Sequence, residues 1–303
     1  MFVIKHKRIF LIFTAILIVT SIALLFTWGL KEGIDFAGGS ILEISYPNGR
    51  PEMTEVQNRI NNLPIGNYSI RPIGDNGYVA RTKFLNENER VALVNSLSFN
   101  GSEKIMEERF NSIGPTVGQE LKNKAYVAIA ISILAIVLFI TFAFRKVSKP
   151  VSSWRYGIVS IITLVHDILI PTGVFVILIK YAGAEVDMLF ISALLAILGY
   201  SINDTIIVFD RIRENLDLVH RGRVRESFKE TIGKSLNQTY RRSFNTSFTT
   251  ILVVFALYLL GGAVTQNFAL TLMAGIAAGA YSSIFLAPPI LLMMSGEGKI
   301  IKS

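Results

Sequence analysis

The stretch Leu198–Asn215 reads LGYSINDTIIVFDRIREN. It begins apolar, ends in a burst of charge, and carries Asn203-Asp204 inside its apolar part. From Met188 to Phe209 the chain is apolar except for Asp204, long enough to cross a hydrocarbon core of about 30 Å as one helix. An ionised carboxylate at bilayer depth costs about 2.5–3.5 kcal/mol on insertion scales, so such a residue faces protein or water and usually works there. Asp204 lies six residues before Asp210, which leaves open a blander reading: water reaches it from the polar end and it is merely tolerated. Gly199 and Asn203 share one helical face, and Tyr200 and Asp204 the adjoining one. That pattern predicts burial of this end among helices rather than exposure to lipid.

The rest of the chain has the same character. Of 303 residues, 51% are hydrophobic and 17% charged, and the mean hydropathy is +0.49. Soluble domains carry about a quarter charged residues, so the composition is that of a membrane protein. The absence of cysteine excludes disulfides and thiolate metal sites. His6, His166 and His220 are too scattered for a histidine-rich metal site, and no cofactor site is read. The net charge of +8 fits cytoplasmic loops better than nucleic-acid binding.

Six spans follow. Ile9–Leu30 and Ala125–Phe144 carry no charge, Tyr156–Ile179 carries only His166-Asp167, and Met188–Phe209 only Asp204. Ser243–Gly296 is uncharged over 54 residues, too long for one span, and Gly261-Gly262 with Thr265-Gln266-Asn267 divide it into two. An even number places both termini on one side. Lysine and arginine choose the side: Lys5, Lys7 and Arg8, then Arg145, Lys146, Lys149 and Arg155, then nine between Arg211 and Arg242, then Lys299 and Lys302, against Lys180 in the opposite short loops. Both termini are predicted cytoplasmic. The first span exceeds a usual signal core and no Ala-x-Ala follows, so it is predicted to be retained. The organisation expected is a cytoplasmic N-terminus and first helix over 1–30, an extracytoplasmic domain over 31–122, and helices two to six over 123–303 with a basic cytoplasmic loop at 211–242.

The outer insert predicts a ferredoxin-like α+β fold. ILEISY alternates like a strand. TEVQNRINNL opens with Thr54 and Gln57 in capping-box spacing and sets Val56, Ile60 and Leu63 on one face. YSIRPI and YVARTKF flank the turn sequence GDNG. NENERVALVNSL reads as a helix capped at Asn86 with Glu89 three residues on, and EKIMEERF as a weaker strand. The order β-α-β-β-α-β is that of the split βαβ, and Pro72 should put its strand at an edge or end it. No nucleophile or metal constellation occurs here, so a folded spacer or docking module competes with any substrate-handling role, and no enzyme is read.

Asp204 has a candidate partner. Arg242, Asn245, Thr246 and Thr249 follow i, i+3, i+4, i+7 spacing at the start of the fifth span, a polar stripe descending from the charged end. Arg242 can serve as a counter-charge to Asp204 or simply anchor the span. In the third span Thr163, Asp167 and Pro171 share a face, and Pro171 removes the amide that would bond the Asp167 carbonyl. His166-Asp167 is either a functional polar pair or a satisfied helix contact. Thr271, Gly275, Ala278 and Ser282 form a small-residue packing face in the sixth span. Val224, Phe228, Ile232, Leu236 and Tyr240 recur every four residues in a basic setting, which predicts an amphipathic helix lying on the cytoplasmic leaflet or packed on a partner protein.

GIDFAGGS after the first span, IGPTVGQEL before the second, VHD in the third, LGYSINDTIIVFDRIREN in the fourth, NTSFTT in the fifth and YSSIFLAPP in the sixth resemble the bacterial SecF family across essentially the whole chain. The motif positions include Asp35, Gly38, Gly39, Asp210 and Arg211. The resemblance implies a subunit of the SecD–SecF export complex, related to resistance-nodulation-division transporters. Such a subunit works with a separate SecD chain and the Sec translocon channel, and uses the proton gradient to complete translocation of exported polypeptides across the bacterial inner membrane. It also implies that Asp204 is the functional aspartate of the NDT motif, beside Asn203, and that Arg242 is the arginine preceding TS in the fifth span. Protons are the expected coupling ion, with sodium open. The competing classes are a small-molecule/proton antiporter and a non-energising scaffold.

Overall fold

The computed structural model describes residues 2–144, 152–221 and 226–295. The chain divides into two compact units, residues 1–31 with 127–303, and residues 32–126.

The smaller unit begins with a one-turn helix, α3 (Ile34–Ala37), that follows α1 (Phe2–Lys5) and α2 (Lys7–Trp28) of the larger unit. It continues through β1 (Gly39–Ser45), α4 (Met53–Ile60), β2 (Ser69–Ile73), β3 (Gly77–Thr82), α5 (Glu87–Leu97) and β4 (Met106–Ile113). The sheet order is β2-β3-β1-β4, and every neighbouring pair is antiparallel. Alternation does the work in β1: Leu42 and Ile44 point into a core with Val56, Ile60, Ile70, Leu93 and Leu97. Tyr46, fully buried, donates its hydroxyl to the Leu97 carbonyl at 2.9 Å, and burial pushes that phenol above its ordinary value. Pro72 lies in β2, an edge strand, where its missing N–H is least needed. Asn86 caps α5 in a complete capping box: Glu89 N–H donates to its side chain at 2.9 Å and the Asn86 N–H donates back to Glu89 at 3.0 Å.

Thr54 does not cap α4. The helix starts two residues earlier than a Thr54 cap would set it, with Glu52 as an extended N-cap that makes no side-chain capping bond. Met53, packed against the core, draws the first turn back, so apolar burial outweighs the box. The one-turn α3 is too short to give a periodic signal in the sequence. Gly38 and Gly39, which follow it, have φ of +75° and +133°. A Cβ on Gly38 would lie 2.9 Å from Pro115 Cα, and one on Gly39 would lie 2.7 Å from the Thr82 carbonyl oxygen. Both glycines are therefore required by backbone conformation and by space. Gly118 repeats the pattern, its Cβ position 2.9 Å from the Phe36 carbonyl.

Among the described residues six helices are long and apolar enough to cross a membrane: α2, α6 (Pro115–Ala143), α7 (Ser153–Ala182), α8 (Met188–His220), α9 (Phe228–Leu260), and α10 (Ala263–Tyr281) continued through a π-turn, Ser282–Leu286, into α11 (Ala287–Ser295). This is a polytopic membrane protein with a small antiparallel-sheet unit. The π-turn falls where Pro288 and Pro289 cannot donate to the carbonyls of Ile284 and Phe285, so the helix widens instead of breaking. α10 packs on α7, α8 and α9 through small residues. Gly275 presses on Ile197, and a Cβ on Gly279 would be 2.9 Å from Ser201 Cβ. Half or more of the apolar window of α7, α8 and the sixth span is buried, against under a fifth for α2, α6 and α9.

The described residues of 211–242 are almost all helical rather than a loop. α8 runs on to His220 and α9 begins at Phe228, so two helices project as a hairpin. Nor does the four-residue repeat lie on a leaflet: Phe228, Ile232 and Leu236 are buried with Ile212 and Leu216 in the main core of this unit, while Tyr240 is exposed and Val224 lies outside the described residues. Buried Asn215 fastens the hairpin, donating to Ser235 Oγ and Gln238 Oε1, both at 2.8 Å. The apolar stripe found a partner helix in its own chain, which hides it from water as well as lipid would.

Candidate functional site

Asp204 is 1% exposed on α8. Its Oδ2 accepts from Ser247 Oγ of α9 at 3.1 Å. Ser247 accepts from the Tyr200 hydroxyl at 3.4 Å, and Tyr200 accepts from Thr250 Oγ1 at 3.3 Å. Thr250, Tyr200, Ser247 and Asp204 thus form a file of donors ending at a carboxylate. The other oxygen, Oδ1, is buried and has no hydrogen-bond partner among the described residues, as have Thr205 Oγ1 and Ser243 Oγ. Unpartnered buried polar atoms are rare in folded proteins and mark places where something else is accommodated. An open carboxylate oxygen at the end of a hydroxyl file is chemically suited to take and return a proton.

Local sequence explains the inward face of α9. Ser235, Thr239, Ser243 and Ser247 recur every four residues and are all buried, a stripe of small hydroxyls that lets α8 approach closely. The Arg242, Asn245, Thr246 and Thr249 stripe lies one position round the helix. Arg242, Asn245 and Thr249 are exposed and Thr246 half-buried. Arg242 makes no hydrogen bond or ion pair with Asp204 among the described residues, and influences it only as a charge at a distance. Gly199 and Asn203, on one face, are exposed, so the expected burial holds for Asp204 and in part for Tyr200, but not for Gly199 or Asn203. The stripe expected from the sequence and the Ser243/Ser247 stripe have similar helical spacing, and only packing distinguishes them.

His166 and Asp167 form a second buried polar centre, 1% and 0% exposed. His166 Nδ1 and Asp167 Oδ1 are 2.7 Å apart. Asp167 Oδ2 accepts from Ser282 Oγ at 2.8 Å and from Ser201 Oγ. One carboxylate therefore joins α7, α8 and the π-turn. Ser282 opens that turn, and π-bulges are often found at functional sites. Ser201 precedes Asp204 by one turn, so α8 carries a contact to each centre. The His166 ring stacks on Tyr281, whose hydroxyl donates to the Phe10 carbonyl at 3.0 Å, and its Nε2 has no partner among the described residues. The Ser201 and Ser282 contacts gave no signal in the sequence beyond their being small.

The remaining charged motif residues lie in helical turns. Asp210 pairs with Arg213 at 2.5 Å and Arg211 with Glu214 at 2.8 Å, all partly exposed on the last turns of α8. Asp35 sits in the first turn of α3, where an acidic side chain complements the helix dipole.

Comparison with known proteins identifies the whole pattern. Residues 94–297 match the family model described as "Protein export membrane protein SecD/SecF, C-terminal", and residues 23–46 match the "SecD/SecF GG Motif", which contains Gly38-Gly39. A protein translocase subunit SecF from Thermobaculum terrenum is 38% identical over 98% of this chain and 94% of the relative, and one from Anaerolinea thermophila 34% identical over 97% and 94%. The crystal structure of SecDF, a translocon-associated membrane protein from Thermus thermophilus, matches with a TM-score of 0.80 at 30% identity, covering 96% of this chain. The chain spans 38% of that SecDF chain. With this coverage and identity, the chain belongs to the SecD/SecF family of protein-export membrane proteins, within its SecF branch.

Proposed function

We propose that this protein is the SecF-type subunit of a Sec protein-export complex in the bacterial inner membrane, and that it couples the proton-motive force to late polypeptide translocation, without catalysing a reaction of its own. The observation that carries the coupling role is the buried Asp204 carboxylate, with one oxygen open and the other closing a hydroxyl file. A second chain is also implied. Asn203, Arg242 and Asn245 are exposed on two apolar helices, and polar or charged side chains facing lipid are costly. A SecD-type partner covering that face brings Arg242 into a protein interior beside Asp204. The reading includes a ferredoxin-like outer unit, supported by the β-α-β-β-α-β succession with sheet order β2-β3-β1-β4, and cytoplasmic termini, supported by the loop lysines and arginines. The outer unit then moves against the emerging polypeptide when Asp204 changes its proton.

Export into inverted vesicles holding this subunit and its partner tests the reading, with and without an imposed proton gradient. Asp204→Asn keeps size and hydrogen-bonding capacity and removes titration. Its gradient response is expected to vanish at matched subunit levels. An undiminished response makes Asp204 structural and favours the scaffold reading, and a response to sodium alone replaces the coupling ion.

A further inference from the structure

A cavity of about 410 Å³ opens at the end of the helix bundle that holds the N-terminus, lined by Phe2, Val3, Ile4, Phe10, Leu236 and Phe285, with Gly233, Asn237 and Tyr240 completing its wall. Its size is within the range of ligand pockets, about 300–1,000 Å³. Its lining is apolar, and all of it belongs to the membrane-spanning unit.

Cationic residues lie one helical turn from the wall. Lys7 lies three residues before Phe10 and Lys229 four before Gly233, so each sits one helical turn beyond a wall residue, on the same face of its helix. Lys7 feels the like charges of both Lys229 and Arg8. Of the acidic groups beside Lys229, Glu226 pairs with Lys234 at 3.0 Å, and Glu230 accepts from the Ser227 N–H and hydroxyl at 2.8 Å each. Lys229 and Arg8 are exposed and form no ion pair among the described residues. An apolar hole with cations one helical turn from its wall, on a membrane protein, is complementary to a molecule with a hydrocarbon chain and a negative head. Basic pockets between membrane helices hold anionic lipid headgroups on this principle.

We propose that the cavity is a binding site for one anionic phospholipid, an acyl chain lying against Phe2, Ile4, Phe10 and Phe285 and the phosphate between Lys7, Arg8 and Lys229. The bound lipid ties the short α1 to α9, and so to the hairpin that carries Ser235 and leads down to Ser247.

The test uses the full chain with its partner subunit in phosphatidylcholine nanodiscs. The probe is phosphatidylglycerol with a photoactivatable diazirine on one acyl chain, set against the same probe on a phosphatidylcholine head. Cross-links are expected at Phe2–Ile4, Phe10, Tyr240 and Phe285, with clear preference for the glycerol head. Each of Lys7→Gln and Lys229→Gln should weaken labelling about fivefold, and Lys7→Arg/Lys229→Arg should keep it, which controls for misfolding. Equal labelling by both probes, labelling indifferent to the glutamine variants, or cross-links elsewhere would each overturn the proposal. So would labelling that appears only after residues 296–303 are removed, because the chain's own tail would then be the occupant.

Discussion

Ser247 of α9 donates to Asp204 of α8 at 3.1 Å, and it is the hydrogen bond through which the membrane carboxylate is held. Arg242, five residues earlier on α9, is exposed and makes no hydrogen bond or ion pair with it among the described residues. The carboxylate is thus positioned by a neutral hydroxyl within this chain, which can remain hydrogen-bonded whether or not a proton is present.

Ser247→Ala removes that donor and leaves both Asp204 oxygens unsatisfied. A buried group stripped of its partner loses about 1–3 kcal/mol. The subunit is expected to unfold at lower temperature and to shift the gradient dependence of export, and Ser247→Thr should restore both. Thermal unfolding in detergent and the vesicle assay together check it. An unchanged export response with the expected loss of stability makes Ser247 purely structural.

Arg242→Ala should hardly change the stability of the isolated subunit, within about 0.5 kcal/mol, because an exposed side chain without a partner is removed. In the complex the same change should reduce both partner affinity and gradient-driven export. Arg242→Lys recovers part of the activity if charge suffices, and little if the planar fork is required. Equal effects on the isolated subunit and the complex would mean that Arg242 faces the same surroundings in both.

Asp167→Ala should be far more harmful to folding than Asp204→Asn. It leaves His166, Ser201 and Ser282 without their common acceptor, and breaking a buried polar network by removing one partner costs about 3–5 kcal/mol. Lower accumulation in the membrane and a lower unfolding temperature are expected, with Ser282→Ala intermediate.

Gly38→Ala puts a Cβ at φ +75° and 2.9 Å from Pro115 Cα. Backbone strain of this kind costs on the order of 1–3 kcal/mol. Protease resistance of residues 32–126 should drop, while the membrane helices stay inserted.

The outer unit should weaken in acid. Its hydrogen bonds with Lys83 and the Asn86 amide hold Glu89 below the ordinary glutamate value of 4.5, and Arg90 does the same for Glu87. A depressed carboxyl contributes stability above its unfolded pKa and loses it as pH falls through the lower folded value. The protection of the first-turn amides of α5 against hydrogen exchange, relative to their intrinsic rate at each pH, should therefore fall below pH 4.5 and stay constant near neutrality. Glu89→Gln should remove the Glu89 share of that dependence and leave that of Glu87.

Much of this protein is determined by its sequence alone, because water and lipid act on single segments. An uncharged run of some twenty residues has few stable places outside a bilayer, so the six spans were legible one at a time. The Asn86–Glu89 box and the GDNG hairpin were legible because their partners lie within a few residues. What needed the tertiary structure were choices between equally regular patterns. Arg242/Asn245/Thr246 and Ser243/Ser247 have similar helical spacing, and the approach of α8 decides which faces inward. The Phe228/Ile232/Leu236 stripe suits a leaflet or a neighbouring helix, and a hairpin with Ile212 and Leu216 provides the neighbour. Asp167 meets Ser201 and Ser282 across 34 and 115 residues. No local preference reports such a meeting, since it exists only once three helices have packed around it.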